Sequence, residues 1–234
     1  MIILIRRTGL ILSGIIFALL AVLVFVHSVI TLPTAGKYRE IKSVVIDAGH
    51  GNFDGGAESP NGVLEKDLNL VIAKKLEIRL KQKGFQVIMT RADDNGIHDE
   101  TLTDVGEKKK SDMYKRRDIM NESGADFFIS IHMNKFTDSS CAGPQVFYSP
   151  NREESEILAQ EIQKYLNTLS VEKREIKAAG KGIYLLKTAK IPAVLVECGF
   201  LSNPLDEAKL CTAQYQDRIV EAIILGIDEY DQKK

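Results

Sequence analysis

Three short apolar runs of this chain each lead to a residue that can bind a metal ion or transfer a proton. The first run leads to His50, the second to His132 and the third to Glu197. Such runs, flanked by helical patterns, are typical of strands in an α/β sheet. Ligands and reacting groups gather just beyond the carboxyl ends of these strands. The sequence therefore predicts two imidazoles and a carboxylate at one sheet edge, which is the donor chemistry of a zinc hydrolase.

A hydrolytic zinc site keeps three protein ligands and one open position, and two histidines with one glutamate are a recurrent set. His50 and His132 are the candidate imidazole ligands because both follow strands. The carboxylate must come from a third element, and Glu65 stands at the start of the first predicted helix. Glu197 is then available to take a proton from water and pass it to a leaving amine. We expect a single zinc ion per chain.

Other polar residues are candidates for supporting roles. Asp47 and Asp54 lie near His50 in the sequence and are candidates to orient its ring. Arg91 and Asn134 are candidate substrate contacts. A lone histidine at a strand end is more often a hydrogen-bonded structural residue than a metal ligand. An exposed arginine is usually a surface residue without a role in binding substrate. The structural alternative stays open for each of these residues.

The cysteines and the glycine-rich segment give weaker signals. The chain has Cys141, Cys198 and Cys211, with no paired spacing typical of a structural metal or redox site. Cys198 follows Glu197 and is a candidate nucleophile, although we favour a small buried residue. The segment from Gly49 to Ala57 lacks both the dinucleotide fingerprint and the phosphate-loop lysine.

Charge and length limit the function classes. The 234 residues carry a formal net charge of −1, which gives no support to a nucleic-acid partner. We interpret the basic run Lys108–Lys110 as part of a solvated loop. The chain that follows the N-terminal apolar stretch is long enough for one well-buried domain. It contains no internal repeat.

The N-terminus has the features of a membrane anchor. Arg6 and Arg7 precede an almost wholly apolar stretch from Gly9 to Val26. This stretch is long enough to span a bilayer, and the arginines place its N-terminal end in the cytoplasm. A cleaved signal, with a small-residue site near 33–36, is the alternative. The predicted division is one transmembrane helix within an anchor over 1–36, a linker over 37–42 and an extracytoplasmic catalytic domain over 43–234.

Hydrophobic spacing predicts the elements that position these residues. Strands are expected at 43–47, 85–90, 145–148, 183–186 and 193–196, and one further strand is expected to end at His132. Helices are expected at 66–83, 114–123, 153–169 and 206–230. Residues 92–112 and 171–181 are expected to be loops.

Five segments together resemble one enzyme family. They are Val45–Gly51, Leu64–Leu70, Thr90–Arg91, Ser130–Asn134 and Pro192–Asn203. Their residues and order are similar to those of the type-3, zinc-dependent N-acetylmuramoyl-L-alanine amidases. The resemblance implies a single three-layer α/β domain, with a twisted, mainly parallel six-stranded sheet and helices on both faces. It also implies that His50, Glu65 and His132 are the zinc ligands and that Glu197 is the catalytic glutamate.

The resemblance further implies an activity and a setting. The family cleaves the amide between the lactyl group of muramic acid and the L-alanine of the peptide stem, so the expected partners are peptidoglycan glycan strands with stems. Asn52 and Met133 depart from residues common in the family, glycine and alanine. A short anchored member without wall-binding repeats resembles the sporulation-type amidases that modify spore cortex. We therefore expect a separate protein partner for localisation or activation.

Two other functions stay open. One is an anchored zinc carboxypeptidase or other peptidase acting on a free peptide end. The other is a catalytically silent wall-binding or regulatory protein on the same scaffold. Such a silent protein would lack a metal ligand or the catalytic glutamate. This sequence retains the three candidate ligands and Glu197.

Overall fold

The structure is a computed structural model that describes residues 17–23 and 42–233. The chain divides into two compact units, Met1–Glu40 and Ile41–Lys234. In the first unit, the described residues are helical with exposed side chains. The rest of the predicted anchor over 1–36 and most of the linker over 37–42 lie outside the described residues. Within the described ranges, every helix is too short or too polar to cross a membrane.

The second unit alternates strands and helices along most of its length. In chain order these are β1 (Ser43–Ala48), α1 (Glu65–Gln82), β2 (Gln86–Met89), α2 (Val105–Glu122), β3 (Phe127–Asn134), β4 (Gln145–Tyr148), α3 (Glu153–Leu166), β5 (Lys177–Ala178), α4 (Tyr184–Thr188), β6 (Ala193–Phe200), α5 (Pro204–Leu210) and α6 (Ala213–Lys233).

The six strands form one sheet in the order β2-β1-β3-β6-β4-β5. Strands β2, β1, β3 and β6 are parallel, whereas β4 runs antiparallel to β6 and pairs in parallel with β5. The prediction of a mainly parallel six-stranded sheet is confirmed. Because β1, β3 and β6 are neighbours, their carboxyl ends lie side by side at one edge.

Two hydrophobic cores lie on opposite faces of this sheet. Val44 and Ile46 belong to the larger core, which also contains apolar residues of α1, α3 and α6. Val45 belongs to the smaller core, together with Met120 of α2 and Leu186 of α4. Successive strand residues point to opposite faces, so helices cover both sides of the sheet. The predicted three-layer α/β architecture is confirmed.

The loop predicted over 92–112 is wrong in its second half, because α2 already begins at Val105. The Asp104 side chain accepts a hydrogen bond from the backbone N–H of Glu107 at 2.9 Å, which is an N-cap. The basic run Lys108–Lys110 therefore lies on a helix. Only Arg116 and Met120 of α2 are fully buried. Because no residue over 105–115 is buried, apolar spacing did not reveal the first turns of α2.

Three other boundaries differ from the sequence prediction. The run expected as a strand over 183–186 forms helix α4, because an apolar run this short fits either structure. The helix expected over 206–230 is two helices, α5 and α6. Asn203 caps α5 by accepting from two backbone N–H groups, and Pro204 begins it. The loop expected over 171–181 contains the short strand β5.

Helices α3 and α6 meet closely at Gly226. A Cβ atom added at Gly226 would lie 2.5 Å from Cα of Ile162. We expect Gly226→Ala to lower the free energy of unfolding by about 1–3 kcal/mol, because the helices must separate. Alanine's greater helix propensity, about 1 kcal/mol, offsets only part of this. Urea denaturation measures the difference.

The control is Gly182→Ala, where an added Cβ meets no atom of the described residues within 4 Å. It should change the free energy of unfolding by less than about 0.5 kcal/mol. A Gly226→Ala protein as stable as the original would show that α3 and α6 do not need this close approach.

Candidate metal centre

His50 stands in a tight turn just beyond the end of β1. Its φ is +62°, and that of Asn52 is +52°. Residues other than glycine seldom adopt this left-handed conformation. The turn brings the imidazole of His50 back over the sheet edge, towards the residues at the end of β3.

Three predicted ligands meet at this edge. One donor atom each from His50, Glu65 and His132 lies within 4.8 Å of the others. Glu65 lies between the rings, with Oε2 3.3 Å from Nε2 of His50 and Oε1 2.8 Å from Nδ1 of His132. The ring centroids are 5.0 Å apart, with the planes nearly perpendicular. The side chains expected from the sequence to bind a metal are thus close enough to share one ion.

Two glycines make room for this cluster. A Cβ added at Gly49 would overlap the imidazole of His132. One added at Gly56 would lie 2.6 Å from Oε2 of Glu65 and 2.7 Å from Cδ2 of His50. Glycine at positions 49 and 56 is therefore explained by the space that the candidate ligands need.

The electrostatics of the cluster favour positive charge. Burial lowers the pKa of His50, but Asp54 and Glu65 outweigh it and raise that pKa to about 9. Burial raises the pKa of Glu65, yet His132 and His50 hold it well below its usual range. A divalent cation would meet the same carboxylates that favour a proton on His50. With two imidazole nitrogens and a carboxylate, the donor set fits zinc.

The two aspartates near His50 have different positions. Asp54 Oδ2 lies 2.8 Å from His50 Nδ1, so it orients the ring as predicted and leaves Nε2 facing Glu65. The expectation that Asp47 also orients the ring of His50 is wrong. Asp47 is buried and accepts hydrogen bonds from Thr90, Ser130 and Arg116 instead.

Glu197 lies in β6, in register with His132 of β3. Burial raises the pKa of Glu197 to about 7; His132 and His50 oppose this rise, whereas Glu65 adds to it. Within the described part of the chain, its Oε2 atom is buried and has no hydrogen-bond partner. A carboxylate with one such shielded oxygen and a pKa near neutrality is suited to receiving and releasing a proton.

The residue after it does not compete for this role. Cys198 is fully buried, as we favoured from the sequence. Burial, reinforced by Glu197 and Glu65, raises the pKa of its thiol well above the usual value. A neutral buried thiol is a poor nucleophile, so the alternative of cysteine catalysis is not supported.

The two candidate substrate contacts differ in exposure. Arg91 is 3% exposed. Its guanidinium donates to the backbone carbonyls of Ala48, Gly49, Lys66 and Asp93. The structure therefore gives Arg91 a structural position rather than a place against substrate. Asn134 is half-buried at the end of β3, and its role as a substrate contact stays a prediction.

Sequence reasoning missed two residues of α2. Lys109 Nζ lies 2.8 Å from Oδ1 of Asp54, and Arg116 donates to the backbone carbonyl of His50 at 2.6 Å. Both line a cavity of about 90 Å³ that His50 and His132 also line. Recognising Asp104 and Glu107 as a helix-start pattern would have placed these side chains on one helical face.

We expect Gly49→Ala to disrupt the cluster while leaving the fold intact. The added methyl group must displace the His132 ring, so zinc affinity should fall at least about tenfold, as for other changes that misorient a metal ligand. Competition with a chromophoric chelator measures the affinity. Gly55→Ala is the control, since its Cβ meets only Leu64, at 3.5 Å. Equal affinities of the two variants would contradict this account of the glycine.

The chain is similar to known proteins over almost all of this unit. A family model described as N-acetylmuramoyl-L-alanine amidase matches residues 44–229. The germination-specific N-acetylmuramoyl-L-alanine amidase of Bacillus subtilis (strain 168) is 36% identical over 205 residues, which cover 87% of this chain and 84% of that protein. AmiA of Escherichia coli (strain K12), also an N-acetylmuramoyl-L-alanine amidase, is 30% identical over 248 residues, 85% of this chain and 79% of that protein.

Solved structures give the same result. The CwlD amidase from Clostridioides difficile, in complex with the GerS lipoprotein, superposes with a TM-score of 0.79 at 38% identity, covering 82% of this chain and 100% of that one. The catalytic domain of the amidase CwlV from Bacillus (Paenibacillus) polymyxa var. colistinus has a TM-score of 0.70 at 32% identity. The match covers 83% of this chain and 100% of that domain.

Proposed function

Since this chain belongs to the family of N-acetylmuramoyl-L-alanine amidases, we propose that it is a zinc enzyme that cleaves the amide between the lactyl group of muramic acid and the L-alanine of the peptide stem. The observation that carries the proposal is the cluster of His50, Glu65 and His132, with the unpaired carboxylate of Glu197 in register beside it. The proposed substrate is therefore a peptidoglycan glycan strand that still bears its stems.

In this proposal His50, Glu65 and His132 hold the zinc ion. When bound, zinc supplies the Lewis acid that polarises an amide carbonyl and makes water acidic enough to lose a proton near neutral pH. Asp54 keeps the His50 ring oriented through Nδ1. Glu65 is itself fixed by the backbone N–H groups of Ala57 and Met133, at 2.8 and 3.1 Å. Such outer contacts keep ligands in place and tune their basicity.

Glu197 is the proposed general base and acid. Its carboxylate takes a proton from the attacking water and then delivers a proton to the nitrogen of the departing L-alanine. A catalytic group works best when its pKa lies near the operating pH, and burial provides this for Glu197. Proton transfer of this kind contributes typically about 10²–10⁴-fold in rate.

We also propose a spore-cortex role for this amidase. One relative is named a germination-specific amidase, and a solved relative is in complex with a lipoprotein. These names support action on spore peptidoglycan with the help of a protein partner. The apolar stretch from Gly9 to Val26 supports extracytoplasmic localisation by an uncleaved membrane anchor.

Metal content and product release test the proposal together. We expect purified residues 37–234 to bind about one zinc ion per chain and to release intact stem peptides from glycan strands, because three protein ligands suffice for a catalytic site. Atomic absorption and mass spectrometry of the products give the two readouts. A chelator should abolish release, and added zinc should restore it.

Other outcomes identify the alternatives. Trimming of free stems without release from glycan would indicate a carboxypeptidase. Zinc and glycan binding without any hydrolysis, even when membrane proteins are supplied, would indicate a silent wall-binding protein. Absence of both zinc and release under those conditions would contradict the proposal.

We expect Glu197→Gln to retain zinc and to lose about 10²–10⁴-fold in kcat, because the amide cannot accept the proton. The steady-state rate of stem release measures the loss. Glu161→Gln is the control, since it makes the same chemical change at a buried glutamate on α3, where Glu161 contacts Lys233. Wild-type turnover in Glu197→Gln would overturn the role given to Glu197.

A further inference from the structure

Two buried arginines meet at the turn that carries His50. Arg91 donates from Nε to the carbonyl of Ala48 at 2.8 Å and from Nη2 to that of Gly49 at 3.0 Å. Arg116 donates from Nη1 to the same Ala48 carbonyl at 2.8 Å and from Nη2 to that of His50 at 2.6 Å. Three successive carbonyls are thus held by two guanidinium groups, which we call the arginine cradle.

The cradle joins three elements at the site. Arg116 projects from α2 and is 1% exposed, and Asp47 and Asp112 bind it at 2.6 and 2.5 Å. Arg91 follows β2 and also donates to the carbonyl of Lys66, at 2.8 Å. Lys66 is the neighbour of Glu65 in α1. One guanidinium group therefore contacts both the turn that carries His50 and the helix start that carries Glu65.

The turn needs such support because its backbone is unfavourable. His50 and Asn52 have left-handed φ angles, which β-carbon-bearing residues seldom adopt without help from their surroundings. Gly51 packs against Arg91, and a Cβ added there would lie 3.0 Å from Cδ and Nε of that side chain. The side chains of the cradle thus fill the space beneath the turn as well as bonding to it.

We propose that Arg91 and Arg116 are positioning residues that set the affinity of the site for metal by fixing His50 and Glu65 before the ion binds. The inference rests on the proposed zinc site. Both guanidinium groups are buried and bonded to backbone carbonyls, as a positioning role requires. Arginine is needed at both positions because its planar fork reaches two carbonyls at once, which a lysine ammonium on a flexible stem does not reproduce.

The test uses the full chain and the variants Arg91→Lys, Arg116→Lys and the double variant. Zinc affinity is measured by competition with a chromophoric chelator, and unfolding temperature is measured without zinc. The visible spectrum of the cobalt-loaded protein reports ligand geometry. We expect each single variant to bind zinc about 10–100-fold more weakly, the usual effect of removing an outer contact from a metal ligand. The two losses should not be additive, because both arginines donate to Ala48.

Two controls separate positioning from general destabilisation. Arg79→Lys changes an exposed arginine of α1 that pairs with Glu221, and it should leave zinc affinity unchanged. Ile227→Ala removes buried apolar volume from α6 and lowers the unfolding temperature without touching the cradle. If Ile227→Ala weakens zinc binding as much as the arginine variants do, the proposal is overturned.

The remaining outcomes are equally distinct. A wild-type chain that binds no zinc and releases no stems, even when membrane proteins are supplied, would overturn the proposed function and this inference together. A wild-type chain that binds zinc, with both lysine variants binding it equally well, would overturn the inference alone. Weaker zinc binding with an altered cobalt spectrum, in variants that remain folded at the assay temperature, would support it.

Discussion

The buried ion pair between Asp47 and Arg116 is the interaction on which the rest of the site depends. Their charged atoms are 2.6 Å apart, and both side chains are almost wholly excluded from solvent. Burial raises the pKa of Asp47, but Arg116, Ser130 and Thr90 together lower it, so the carboxylate stays charged. Removing either charge would leave the other buried and unpaired, which is far more costly than losing an exposed pair. The pair therefore fixes α2 against the end of β1.

The residues on the two sides of this sheet edge differ chemically. Towards α2, Asp54 contacts both His50 and Lys109, so the ring of this proposed ligand is held by a charged partner that is itself paired. Towards β6, Glu197 has a buried oxygen that lacks a hydrogen-bond partner among the residues of 17–23 and 42–233. A charged partner stabilises the charged form of a group, whereas burial without a partner raises the pKa of a carboxyl towards neutrality. The separation of ligand support from proton transfer follows from this arrangement.

The two departures from the family pattern also have physical explanations. Asn52 stands where glycine is common, and its φ of +52° is one that asparagine tolerates better than most residues. Met133 stands where alanine is common, but its side chain is buried in the larger core. Its backbone N–H, at 3.1 Å from Oε1 of Glu65, makes the contact that the site uses. Neither substitution alters a proposed ligand.

The sequence by itself determined most of the apolar strands, the helix predicted over 66–83 and the residues that the strands carry to one edge. These features follow from hydrophobic periodicity, which reports apolar faces that must be buried. Only the tertiary structure decided the inward direction of Arg91 and the place of Arg116 beneath His50. Their positions depend on hydrogen bonds between residues distant in sequence, such as the 2.6 Å contact across 66 positions from Arg116 to His50. A local pattern carries no signal for such a contact, because burying a charge is favourable only when its partners have already been brought together.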